Sequence, residues 1–489
     1  MTPARDVLVA PVHELLDAAE PIFGPRSGRI RELRERLDGP LRVAIAGKVK
    51  AGKSTLLNAL VGERVAPTDA SECTRVVTQY RNSHVYRVTA KPYVGDPVEL
   101  RFRRTDLELE FSLGDSVADE IQYVDVEWPS ERLRDSVLID TPGLASVSGD
   151  VSARTQRFLS TDEEGPGDAD AVLYLMRHLH PMDLSFLEAF KDSIVTLGAT
   201  VNSVGVLSRA DEIGSSRPNA MASAARIAAK YQADPRINSL CQVVIPVAGL
   251  IAQAGATLRQ DEADALRAIA RMDRAESTEL LLSAQRFVTM DAPAGLEPDV
   301  RGRLLDRLGL FGVRLSVELF STGRVASAGD LATELESRSG IHELREVLGG
   351  HFASRAVVLK VRSTLATVWS LAELHGGAEG RMLRDRIRDI ERAAHELVEI
   401  RLLSQLRRGA VSLGEGTLEA RRILGDRGAA ADVRLGLPPG TAPDTVRDAA
   451  IATIARWRVV AEDPLVTTDA RDVVRGVIRT CEGLATAVR

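Results

Sequence analysis

Lys53 and Ser54 are the residues best placed to do chemistry in this chain. They close the run Gly47-Lys48-Val49-Lys50-Ala51-Gly52-Lys53-Ser54, which fits the pattern G-x-x-x-x-G-K-[ST]. The pattern works by geometry. Its glycines let backbone N–H groups curl around a polyphosphate, its lysine neutralises the terminal phosphates, and its hydroxyl ligates Mg²⁺. Gly47, Val49, Lys50, Ala51, Gly52, Lys53, Ser54 and Thr55 are therefore the expected phosphate-side residues. The flanks agree. Leu41 to Ala46 reads as a buried strand, and Thr55 to Leu60 opens a helix whose N-terminus faces the anion.

Further segments follow in the order that GTP hydrolysis needs. Pro67 to Thr74 is a short polar loop after the first helix. A threonine there can reach Mg²⁺ with its hydroxyl and hold the attacking water with its carbonyl. Thr74 is preferred because the strand-like Val76 to Tyr80 follows it; Thr68, Ser71 and Thr78 are the alternatives. Val137-Leu138-Ile139 is a second buried strand, ending in Asp140-Thr141-Pro142-Gly143. Asp140 can hold Mg²⁺ through water and the Gly143 amide can bond the γ-phosphate, although the same four residues can form a plain turn. The expected metal set is Ser54, Thr74 and Asp140, and the expected catalytic set is Lys50, Lys53, Thr74 and Gly143.

The choice of base rests on Ser208-Arg209-Ala210-Asp211, at the end of the strand Ser203 to Leu207. A carboxylate at Asp211 accepts from N1–H and N2–H₂ of guanine, and adenine offers no such donor pair. The usual form is Asn- or Thr-Lys-x-Asp. Here Ser208 and Arg209 replace the first two, and an arginine can also lie flat on a purine. The other reading of Asp211 is a helix cap. Val243 to Val247 then leads into Ala248-Gly249, a small-residue turn where backbone N–H groups could meet guanine O6.

Residues 41–250 alternate strands and helices, as a three-layer α/β P-loop domain requires. Val85 to Thr89, Val98 to Phe102 and Tyr123 to Glu127 crowd between Thr74 and Asp140, which implies added antiparallel strands. Ala171 to Leu175 is a further strand, and Ser148 to Asp168 is polar and reads as a mobile loop and helix. Beyond about residue 250 strand signals nearly vanish. Leu344, Leu348, Phe352 and Leu359 recur at helical spacing, as do Leu383, Ile387, Ile390, Ala394 and Leu397, and Val446, Ala450, Ile454 and Trp457. Antiparallel helices with short turns make a bundle. One helix over 342–375 would be about 50 Å long, so 251–489 is expected as an extended stalk. The helical Val9 to Leu37 segment places residues 1–40 with that bundle. Leu308, Phe311, Leu315 and Leu319 fit a buried helix face, with lipid contact and a strand over 313–319 as the other readings.

The composition, 44% apolar and 27% charged, is that of a globular protein with substantial cores. Three cysteines, Cys73, Cys241 and Cys481, are too few and too scattered for a disulfide framework or a zinc site, and suit a reducing cytoplasm. The N-terminus lacks the apolar core of a signal peptide, and no apolar run is long enough to span a bilayer. The net charge of −6 argues against nucleic acid as a main ligand and gives no global support to binding acidic lipid. His178 and His180 lie without a partnering cluster and read as loop histidines rather than metal ligands.

These motifs resemble the dynamin superfamily of large GTPases, and within it the actinobacterial dynamin-like proteins. The supporting phrases are Ala51 to Thr55, Ala66 to Ala70, Val126 to Pro129, Ser208 to Gly214 and Ser339 to Arg345. The resemblance runs over most of the chain, firmest through the GTPase domain. It implies GTP hydrolysis with Mg²⁺, a nucleotide-dependent homodimer through the GTPase faces, and work on a lipid membrane surface from the cytoplasm. It also implies a paralogous dynamin-like partner. A regulatory GTP switch whose helices bind a protein, and a slow scaffold, are the competing functions. One departure stands out. The family places a Gln and then a Ser at the positions of Val49 and Lys50, where the Gln orders the attacking water and the Ser helps hold a monovalent cation. Val49 cannot bond water through its side chain. Lys50 either puts its own charge in the cation's place or points to solvent. Guanylate-binding proteins use an arginine at that position as an internal finger.

Overall fold

Short, unbroken apolar runs make buried parallel strands, and the central runs of this chain do so. The computed structural model describes residues 3–24, 27–67, 76–104, 109–113, 120–142, 169–178, 183–184, 187, 202–293 and 295–487. Its strands are β1 (Leu41–Gly47), β2 (Thr78–Asn82), β3 (Arg87–Pro92), β4 (Val98–Glu99), β5 (Phe102–Arg104), β6 (Leu109–Phe111), β7 (Ile121–Trp128), β8 (Ser136–Asp140), β9 (Ala171–Met176), β10 (Ser203–Ser208) and β11 (Val244–Val247). Nine of them form one sheet in the order β11-β10-β9-β1-β8-β2-β7-β3-β4. From β11 to β8 the pairing is parallel. β2 then runs antiparallel to β8, and β3 antiparallel to β7. The segment between the first helix and Asp140 thus widens the sheet on one side only.

One expected strand is split. Val98 to Phe102 gives β4 on the main sheet and β5 in a separate hairpin with β6. Leu100, between them, is buried and donates its N–H to the Val88 carbonyl at 2.8 Å. Its side chain enters the core, and the strand cannot run straight through it.

Helices cover both faces. The Lys53–Val61 helix packs with the Gly249–Thr257 helix over the face lined by Val43, Ile45, Leu173 and Val206. The Ala220–Ala233 helix covers the opposite face with Tyr174, Met176 and Leu207. The Pro298–Ser321 helix buries Leu308, Phe311, Leu315 and Leu319 in a third cluster against Ile251, so this apolar run is helix core. The N-terminal helices Pro3–Phe23 and Ser27–Asp38 pack on Ala356–His375 and Gly377–Ala393. The last helices, Pro443–Glu462 and Thr468–Ala487, close a separate cluster with Ile400, Leu403 and Leu406.

The single helix expected over 342–375 is broken. Ile341–Glu346 leads into a wider π turn at Val347–Phe352 and a tight turn at Ala353–Arg355 before Ala356–His375 begins. Adjacent Gly349 and Gly350 sit inside the π turn, where a helix is weakest. The extra residue keeps Leu344 and Phe352 in the sheet core. The final helix is therefore only about 30 Å long.

Two polar struts tie these helices to the sheet. The Ser363 hydroxyl donates to Asp170 Oδ1 at 2.5 Å, while Asp170 Oδ2 accepts from the Arg42 amide at 3.0 Å. Arg407 grips Asp426, and Gln242, just before β11, donates to the Asp426 carbonyl at 3.3 Å.

Candidate nucleotide-binding site

Strand register brings the separate motifs to one edge. Ile45 pairs with Asp140 on β8 and Gly47 pairs with Leu175 on β9, so the phosphate loop and the Asp140 turn leave the sheet side by side. Thr141 locks this register by donating its hydroxyl to the Ile45 carbonyl at 2.9 Å. Ser54 Oγ, on the first turn of the helix, donates to Asp140 Oδ2 at 2.8 Å. Asp140 Oδ1 is buried without a hydrogen-bond partner among the described residues.

Lys53 lies over its own loop, donating to the carbonyls of Gly47 at 3.3 Å and Lys48 at 3.4 Å. Burial pushes its ammonium below the usual lysine value, opposed by the charge of Asp140. Burial likewise pushes the Asp140 carboxyl above the usual carboxylate value, against the pull of Lys53 and the Ser54 hydroxyl. Both groups are largely withdrawn from water, and each other's charge and their few hydrogen bonds only partly offset the cost. A polyphosphate at Lys53 and a hard cation at Asp140 would relieve both. The donor set is all oxygen, a hydroxyl and a carboxylate with one unpaired oxygen, which fits Mg²⁺ completed by phosphate and water.

Around the loop, Gly52 caps the helix in a left-handed conformation and Ala51 is buried. Val49 and Lys50 form the exposed crest, with Lys50 itself at φ 61. Lys48 turns the other way, to within 3.3 Å of the buried Asp183, which also accepts from the Tyr174 hydroxyl at 2.8 Å. Asp183 fixes the trajectory of the phosphate loop.

The base-side motif reaches the same cleft. Ala51, Gly52 and Thr55 line it from the phosphate side, and Ser208, Arg209 and Asp211 from the end of β10. Asp211 sits in the short turn Ala210–Glu212, and burial raises its carboxyl to about 6. The buried Ser208 Oγ has no hydrogen-bond partner among the described residues. Arg209 adopts φ 52 and pairs with Glu212 at 2.7 Å, and Glu212 also holds Arg177 at 2.6 Å. Glu212 therefore fixes the Arg209 guanidinium.

The structure corrects one residue. The Ala248 amide donates to the Ser339 carbonyl at 2.9 Å, so it is not available to guanine O6. Gly249 and Leu250, the first residues of the next helix, line the cleft instead, and first-turn amides lack intrahelical partners. Thr55 packs against Gly249, closing the gap between the two helices. Thr78, one alternative for the water-holding threonine, is buried in β2 and donates to the Val76 carbonyl at 3.5 Å. Thr68, Ser71, Thr74 and Gly143 lie outside the described residues. His178 is exposed, and the described residues hold no cluster of His, Cys, Asp or Glu able to bind a metal on its own.

Sequence reasoning passed over Glu212, Asp183, Ser339 and Gly309. Gly309 breaks the Pro298–Ser321 helix at φ 65, and a Cβ there would lie 3.6 Å from Asp211 Oδ2. The kink presents bare backbone to the carboxylate of the base loop. A glycine inside an otherwise helical run was the only available signal.

The dynamin family model matches residues 43–208, from β1 to the end of β10. The isoniazid-induced protein IniC of Mycobacterium tuberculosis is 38% identical over 450 residues, covering 92% of this chain and 90% of that protein. The chain belongs to the dynamin family, in its bacterial IniC-type branch. It is a GTPase of that family. A bacterial dynamin-like protein of Nostoc punctiforme is 29% identical over 176 residues, 33% of this chain and 24% of that one. A solved structure, described as an oligomerised bacterial dynamin pair for long-range sensing and tethering of membranes, covers 98% of this chain and 73% of its own at 12% identity and a TM-score of 0.31. No described helix of this dynamin-like chain is long and apolar enough to cross a membrane.

Proposed function

We propose that this protein binds GTP with Mg²⁺ in the cleft between Lys53 and Asp211, pairs with a second copy through its GTPase face, and uses its helices to reshape or join membrane. The observation that carries the nucleotide reading is the single cleft shared by the phosphate loop and the Asp211 turn. In this reading Gly47 and Val49 to Gly52 wrap the phosphates, Lys53 neutralises the terminal ones, and Ser54 and Asp140 hold the metal. Mg²⁺ supplies charge neutralisation at the bridging and terminal phosphate oxygens. Thr74 and Gly143 order the attacking water and the γ-phosphate, and Lys50 lies nearest in sequence to add positive charge. Asp211 reads guanine, Arg209 covers its face, and Ser208 supports the loop.

The membrane reading rests on family membership and on an apolar tip. Val459, near the end of the Pro443–Glu462 helix, and Leu465, in the turn that joins it to the Thr468–Ala487 helix, are both exposed. A paralogous partner, or a protein bound by the same tip in a regulatory switch, would use that surface differently. Co-sedimentation with liposomes, with and without GTP, separates these. Membrane action predicts GTP-dependent pelleting that Val459→Asp with Leu465→Asp removes while turnover persists. Absence of pelleting in every nucleotide state would favour the protein-binding switch.

A further inference from the structure

Paired residues in neighbouring strands share a face of the sheet. Gln79 pairs with Asp125 on β7 and with Ile139 on β8. Asp125 pairs in turn with Thr89 on β3, and Tyr123 with Lys91. One face is therefore apolar at β8 and becomes polar across β2, β7 and β3. Such a polar face in a mixed sheet normally meets water. Here the Ser27–Asp38 helix stands over it, and Lys91 reaches its Glu32 at 3.4 Å. Between helix and sheet lies a cleft of about 560 Å³.

Two polar atoms at the floor of this cleft lack partners. Gln79 is 4% exposed and its Nε2 donates to nothing among the described residues. Asp125 Oδ1 accepts from nothing among the described residues, although its other oxygen takes the Arg81 Nε–H at 2.8 Å. Burial holds the Asp125 carboxyl above its usual value. Leaving a buried polar group unpaired is costly, and such groups call for an explanation. Six cations, among them Arg36, Arg42, Lys91 and Arg134, line the cleft against the three carboxylates of Glu32, Glu35 and Asp125, in a chain whose net charge is −6.

We propose that this cleft binds a phosphorylated polyol. Its phosphate lies at the cationic rim, one oxygen accepts from Gln79 Nε2, and a hydroxyl donates to Asp125 Oδ1. The floor needs an acceptor and a donor close together, and hydroxyls beside a phosphate supply both. The ligand is either a free phosphate monoester or a lipid head group of the same chemistry. The cationic side of the cleft lies away from the nucleotide site: Arg42 is five residues before Gly47, about 17 Å back along β1, while Gln79 at the other end pairs with Ile139, next to Asp140.

The full chain without nucleotide is titrated with glycerol 3-phosphate by calorimetry and thermal shift. Inorganic phosphate and glycerol serve as controls. Vesicles of phosphatidylcholine with and without phosphatidylglycerol form the lipid arm. Gln79→Met keeps side-chain length, removes the unpaired amide, and should leave the melting temperature unchanged or higher. Wild type should bind glycerol 3-phosphate or phosphatidylglycerol vesicles saturably. Gln79→Met and Lys91→Met should each weaken that binding at least tenfold, and Lys53→Ala should leave it intact. Saturable binding in the soluble arm alone assigns a free ester; binding in the vesicle arm lost in Gln79→Met assigns a head group. The proposal is overturned if neither probe binds, if inorganic phosphate binds as well as glycerol 3-phosphate, or if binding survives both Gln79→Met and Lys91→Met. Loss of binding in Lys53→Ala would also overturn it, by moving the ligand to the phosphate loop. Should Gln79→Met fail to fold, the half-exposed Lys91 variant still decides the outcome.

Discussion

Ser54 and Asp140, from two different elements, meet in a 2.8 Å hydrogen bond that leaves one buried carboxylate oxygen unpaired among the described residues. The pair is set by the register of β1 on β8 and by the first turn of the next helix. A hydroxyl and a carboxylate so placed can share one hard cation with a phosphate oxygen.

Ser54→Ala should therefore raise the Mg²⁺ concentration needed for half-maximal GTP turnover about tenfold or more. Binding of GTP without metal should change much less. A metal titration identical to wild type would take Ser54 out of the metal's coordination.

Asp211 carries a pH signature with two opposite signs. Its folded value of about 6 lies above the ordinary 3.8 because burial disfavours the charge. The resulting contribution to stability is fully present below pH 3.8 and is lost as pH rises through 6, a difference on the order of 3 kcal/mol at most. Asp211→Asn should thus stabilise the nucleotide-free protein at pH 7.5 by about 1–3 kcal/mol and leave it unchanged near pH 4. Guanine binding needs the carboxylate, so wild-type GTP affinity should strengthen as pH rises through 6. Denaturant melts of both proteins across pH, with GTP titrations alongside, check the two halves separately.

Ser339 and Gly340 brace the base side of the cleft from far along the chain. The Ser339 carbonyl takes the Ala248 amide, and Gly340, at φ 80, lies so close that a Cβ would collide with the Pro246 carbonyl. Gly340→Ala should cost at least about 1–3 kcal/mol through the backbone conformation alone. It should also weaken GTP binding by shifting the Gly249 and Leu250 amides. Unchanged stability would show that β11 has slack to yield.

Much of this architecture was legible because its signals are local. The runs Val43 to Ala46, Val137 to Ile139, Ala171 to Met176 and Val204 to Leu207 are apolar without interruption, and the phosphate loop follows β1 directly. The relationships that complete the site are not local. Ala248 looked free because its acceptor, Ser339, lies 91 residues away in the chain. Glu212 reads as a surface acid three residues after Arg209 until the end of β9 brings Arg177 to it as well. The break at Val347–Phe352 preserves apolar spacing, so periodicity alone extends the helix through it. Val98 to Phe102 alternates well enough for one strand, and only the burial of Leu100 shows the bend.

Lys50 tests the departure at the crest of the phosphate loop, where it is exposed at φ 61. If its ammonium replaces a monovalent cation, wild-type turnover should be similar in potassium, sodium and choline salts at matched ionic strength. Lys50→Ser should lower turnover and make the remainder depend on potassium or sodium, with GTP affinity far less affected. A wild-type enzyme that requires potassium would assign Lys50 to solvent.

Steady-state GTP hydrolysis by wild type and Lys53→Ala, with ATP as competitor, tests the nucleotide cleft most directly. A GTP site between Lys53 and Asp211 predicts wild-type turnover that depends on Mg²⁺ and resists excess ATP, and loss of GTP binding or turnover in Lys53→Ala. Turnover of GTP by Lys53→Ala at the wild-type rate, or preference for ATP in direct competition, would contradict it.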